Sequence, residues 1–69
     1  MAILEVTWKT HPDGQHTATV STPFGLEIVG TGKDQSVAAL DLIRGLSRAG
    51  YWVRFVNNNM LTQIEAKMA

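Results

Sequence analysis

In three short runs between Ile3 and Val29 apolar residues return at every second position, whereas between Asp34 and Ala49 they return at every third or fourth. A strand sends alternate side chains to opposite faces, and a helix gathers residues three and four apart, so this change of period calls for extended chain first and a helix after it. In "ILEVTWK", residues 3–9, Leu4, Val6 and Trp8 fall on one side and Glu5, Thr7 and Lys9 on the other, as in a half-buried strand. "THPDGQH" follows; Pro12 presets φ for a turn and Asp13-Gly14 tolerates left-handed backbone, so a hairpin is expected. "HTATVS" supplies the second strand, with Ala18 and Val20 toward the core. Thr22-Pro23-Phe24-Gly25 marks another turn, after which Leu26 and Ile28 alternate with Glu27 and Val29 in a third strand.

From Asp34 to Ala49, Ala39, Leu42, Ile43, Leu46 and Ala49 share one helical face, and Asp41, Arg44 and Arg48 the opposite one. Thr31 or Asp34 can cap the first free N–H groups, Arg48 suits the negative end of the dipole, and Gly50 is placed for a left-handed C-terminal cap. Gly45, unfavourable inside a helix, marks a close approach to the sheet. "YWVRFV", residues 51–56, reads as a fourth strand. Asn58 or Asn59 would cap a short final helix in which Met60, Ile64 and Met68 recur every four residues.

The expected fold is therefore α+β, one domain over residues 1–69: a two-layer β-β-β-α-β arrangement, an antiparallel meander packed on one helix, with a short C-terminal helix. The meander and the helix return send the fourth strand in the same direction as the third. Such a strand has to pair in parallel with an edge or pair with a second chain.

The 69 residues hold a single small core, and the absence of cysteine leaves packing or self-association to stabilise it. Six basic and six acidic residues cancel, leaving no net field to draw nucleic acid or an anionic membrane surface. No window approaches the roughly 18 apolar residues of a spanning helix, and "MAILEVTWKT" has no positive leader; a soluble, cytoplasmic chain is expected.

The glycine-rich "VGTGKDQS" invites comparison with phosphate-binding loops. A P-loop ending at Gly32-Lys33 would need glycine at 27 and a hydroxyl at 34, where Glu27 and Asp34 stand; the dinucleotide fingerprint fails at Gln35. A turn and helix cap explain the segment without a cofactor. His11, Asp13 and His16 bracket one turn and could approach a metal, but a solvated hairpin accounts for them. Glu5 and Glu27 share the polar sheet face as exposed strand carboxylates. No base, nucleophile and pocket converge, so catalysis is not expected.

The sheet face away from the helix carries more information. With Tyr51, Val53 and Phe55 inward, Trp52, Arg54 and Val56 face outward beside threonines and Val29. The opposite phase would bury Trp52 and expose Tyr51 and Phe55. Either the final helix folds back over this face with Met60, Ile64 and Met68, or the face is an interface, for which Trp and Arg are the usual anchors.

The stretch "TATVSTPFGLEIVGTGKDQSVAALDLIRGL" resembles the HicB-like antitoxin fold, in which a strand enters a proline-containing turn ending in Gly-Leu, then a third strand, a glycine and an Ala/Leu-rich helix. Pro23, Gly25, Leu26, Gly30, Ala38 and Leu42 carry the resemblance, over residues 17–49. It implies a non-catalytic module that dimerises and binds, and inhibits, a partner protein such as a small toxin nuclease or a host factor. The same elements look like a double-stranded RNA-binding domain lacking its first helix, which gives an alternative, an RNA-binding module with Lys33, Arg44 and Arg48 as contacts. A single lysine at the helix start makes nucleic acid the lesser expectation. The partner and dimer interface is placed at Trp52, Arg54, Val56, Val29, Met60 and Ile64.

Overall fold

The alternating runs form strands that are all antiparallel to their neighbours, and the 3.6-residue run forms the helix. The computed structural model describes residues 2–57 and 60–68. In chain order the elements are β1 (Ala2–Glu5), β2 (Thr7–Thr10), β3 (His16–Ser21), β4 (Glu27–Gly32), α1 (Gln35–Arg48), β5 (Tyr51–Phe55) and β6 (Gln63–Met68). They make two three-stranded sheets, ordered β1-β6-β5 and β2-β3-β4. The coarse α+β reading holds, as does the meander over β2, β3 and β4. The element order differs from the one expected.

The first expected strand is split. Residues 2–10 run as β1 and then β2, changing partner at Val6: Leu4 lies opposite Ile64 in β6, and Trp8 opposite Ala18 in β3. Two backbone bonds show that these partners flank the shared chain from opposite sides. Val6 N–H donates to the Thr62 carbonyl, so even-numbered residues turn their backbone toward β6; His11 N–H donates to the Gln15 carbonyl, so odd-numbered residues turn toward β3. The strands thus follow one another as β5, β6, the shared chain, β3 and β4, with β4 and β5 at the two margins.

The second correction concerns the C-terminal segment, which is the strand β6 and not a helix. Ile64 and Ala66 are buried, while Gln63, Lys67 and the half-buried Glu65 lie between and beyond them, a period of two. Asn58 and Asn59, the expected caps, lie outside the described residues. Because β6 is a strand, β5 pairs antiparallel with it, Tyr51 opposite Met68 and Phe55 opposite Ile64. The pairing of the fourth strand with an edge in parallel does not occur among the described residues. Its direction was read correctly, since β5 runs the same way as β4, but β6, the shared chain and β3 lie between them.

The core sits between the inner sheet face and α1, built on Leu4, Val6, Ala18, Val20, Leu42, Leu46, Tyr51, Ile64 and Ala66. Asp34 is the N-cap, its carboxylate accepting from Val37 N–H at 2.9 Å, and Gly50 follows the helix at φ 95°. The "GTG" segment is not the flexible turn expected: Gly30 and Gly32 are buried residues of β4. A Cβ at Gly30 would run into the backbone of Ala38 and Leu42, so glycine here lets α1 lie directly on the strand. At Gly45 a Cβ would come within 2.9 Å of the Ile28 side chain, the close approach expected there. Away from α1, Trp8 helps close the core. Its indole N–H donates to the Leu61 carbonyl at 2.8 Å. Leu61 itself stands at φ 55°, held also by its N–H bond to the Asn57 carbonyl.

Candidate functional site: the outer face of the sheet

Alternation places Tyr51 toward the core, with Val53 and Phe55 packed against it, so Trp52 and Arg54 stand on the opposite face. Trp52 is 74 % exposed, and no helix crosses this face among the described residues. Register then sets its neighbours. Trp52 lies opposite Lys67 and Arg54 opposite Glu65 on β6, and Glu65 lies opposite Ile3 on β1. Arg54, two positions from Trp52 on the same face, donates from Nε to Glu65 Oε2 across to β6. A shallow hollow of about 170 Å³ runs between Trp52, Arg54, Glu65 and Lys67, its floor formed by Val53 and Ala66. Gln63 donates from its side chain to Glu5 at 2.8 Å, tying β6 to β1 on the same face. Ile3 and Val56 add half-exposed apolar surface.

The six residues assigned to the interface from sequence are not brought together as a set. Trp52 and Arg54 share β5, and Val56 follows directly after it, continuing its backbone bonding to Gln63. Val29 is exposed but stands on β4, at the other margin of the sheet. Met60 is exposed in the connection before β6. Ile64 has to be withdrawn: it is fully buried and packs in the core, because β6 alternates with period two and even-numbered positions point inward. Glu65 and Lys67, which sequence reasoning did not single out, complete the surface. The alternation "QIEAKM" was their signal.

Glu5 and Glu27 do share a hollow with Thr7, Thr19 and Ser21 on this face, further toward β4. The two histidines are engaged locally: His11 Nε2 and the Thr17 hydroxyl lie 2.6 Å apart, His16 Nδ1 and the Thr10 hydroxyl 3.2 Å, and the Asp13 carboxylate accepts from Gln15 N–H. Among the described residues no group of three His, Cys, Asp or Glu side chains could hold a metal ion. The basic residues of the alternative reading are all exposed, yet Lys33 precedes α1 and Arg48 ends it, on the order of 20 Å apart along the axis. No helix among the described residues is long and apolar enough to cross a membrane.

Comparison of the chain with protein-family models, with curated proteins and with solved structures returned no match. The site must be interpreted from its own chemistry.

Proposed function

We propose that this chain is a small non-catalytic protein-interaction module that works through the outer face of β5 and β6. One observation carries the reading: a tryptophan that is 74 % exposed stands on β5, with Arg54 two positions along the same face and paired to Glu65. An exposed indole of this kind leaves a large apolar area in water, and binding a second protein removes that area while the neighbouring charges set the orientation. Ile3 and Val56 extend the apolar area, and Glu65 and Lys67 rim it with both signs of charge. The resemblance of residues 17–49 to HicB-like antitoxins favours a small toxin nuclease as the class of partner.

The test compares tagged wild-type protein with Trp52→Ala in cells of the source. The expected result is a protein retained by the wild type and released by the variant, with the same difference reproduced by the two purified components. Identical sets of retained proteins, with both chains folded, would overturn the reading.

A further inference from the structure

The margin formed by β5 carries more than an exposed side chain. Val56 N–H donates to the Gln63 carbonyl, and the same register makes Arg54 with Glu65 and Trp52 with Lys67 the mutually hydrogen-bonded pairs. The backbone N–H and C=O groups of Tyr51, Val53 and Phe55 therefore point away from β6. β5 ends its sheet, and among the described residues no side chain or other backbone segment bonds to these outward groups. An unpaired edge of this kind is a template for another strand.

We infer that a second copy of this chain pairs with that edge, β5 against β5 and antiparallel, with Val53 on the two-fold axis. The inference rests on the reading of the Trp52 face as a binding surface and names one occupant of it. The sequence of the strand, Tyr-Trp-Val-Arg-Phe, is complementary to itself about its centre. With Val53 opposite Val53, all three outward-pointing residues of each copy fall into hydrogen-bonded pairs, giving about six new backbone bonds. On the outer face each Trp52 comes opposite Arg54 of the other copy. A guanidinium already oriented by Glu65 then meets the indole face, twice over, as a cation–π pair. On the inner face each Tyr51 comes opposite Phe55 of the other copy, an aromatic cross-strand pair.

The neighbouring registers are worse. Centring on Trp52 leaves Phe55 without a partner and sets the two indoles against each other; centring on Arg54 puts like charges directly opposite. A two-fold contact also closes on itself, so this pairing stops at two copies.

The chain has no cysteine, so Val53→Cys gives a single reporter thiol. Opposed residues in a hydrogen-bonded antiparallel pair have Cα and Cβ atoms about 5.5 Å apart, wider at Cβ than the roughly 3.5–4.5 Å of a disulfide but within the span of a short bismaleimide. The expected results are a dimer by light scattering at high micromolar concentration, cross-linking of Val53→Cys to dimer by a short bismaleimide, and a folded monomer for Val53→Pro. Proline removes an N–H that β6 does not use and blocks the edge. A wild-type monomer at that concentration overturns the inference while leaving the Trp52 partner test standing. A dimer in which Val53→Cys fails to cross-link overturns it as well, and so does a dimer that persists in Val53→Pro.

Discussion

At the β4 margin of the sheet, the helix lies against the strand and Asp41 of α1 accepts the Thr31 N–H at 2.9 Å. At the β5 margin, α1 merely turns into the strand through Gly50, and nothing among the described residues takes the outward backbone groups. The pairing parity makes the two margins directly comparable. Thr22 N–H bonds the Leu26 carbonyl, so along β3 and β4 it is Glu27, Val29 and Thr31 that turn their backbone outward. One of those three positions carries a charged side chain and another has its N–H capped. On β5 the outward positions are Tyr51, Val53 and Phe55, uncharged and uncapped. Of the two edges, one is protected by side-chain chemistry and one is left open among the described residues.

The contrast between the two margins depends most heavily on Gly30. Alanine there places a Cβ against the backbone of Ala38 and Leu42, which cannot rotate away as a side chain could. Gly30→Ala is expected to cost about 3 kcal/mol or more in urea unfolding. A loss within about 0.5 kcal/mol would mean that α1 does not lie on β4 as described, and the guarded edge would lose its guard.

Next in size is Ile64. Ile64→Ala empties a fully buried site and is expected to cost about 3 kcal/mol. Trp52→Ala, measured at a dilution where only monomer is present, should change stability by less than about 0.5 kcal/mol. The pair separates a core strand from a surface anchor in one experiment. Equal, small effects would return residues 63–68 to the surface and reopen the outer face to a covering segment.

These two residues also show what could be read from sequence and what could not. The meander and the helix follow from local rules, because each pattern is fixed within a few residues. The cap stayed open between Thr31 and Asp34, and the phase of residues 51–56 stayed open because Trp52 and Val56 are as apolar as Tyr51, Val53 and Phe55. Met60, Ile64 and Met68 are spaced by four, and every multiple of four is also a multiple of two. Helix and strand therefore fit those three positions equally, and only Ala66 between charged neighbours separates them. Gly30 was legible as a glycine but not as a contact, since the helix that demands it is eight residues away at Ala38. The bond between Asp41 and Thr31 was hidden for the same reason: Asp41 sits in the polar part of the helical pattern, and only the packing of α1 on β4 brings it to the edge. The interface set drawn from sequence mixed both margins because the order of the strands depends on β6.

Asp41 contributes little to stability, and it bears most directly on the two edges. Asp41→Ala removes one exposed hydrogen bond, a loss of about 0.5 kcal/mol. Its consequence for assembly is larger than its cost. With Thr31 N–H uncapped, a second margin becomes available for strand pairing, and sheets open at both margins need not stop at two copies. On the proposed β5 pairing, light scattering should show species heavier than a dimer at concentrations where the wild type shows none, and Asp41→Asn, whose amide oxygen can still accept, should fall between the two. If Asp41→Ala keeps the wild-type mass while losing the expected stability, the protection of β4 resides instead in Glu27 and in the helix backbone packed on Gly30 and Gly32. Lysine or proline at Val29 would then add nothing to it.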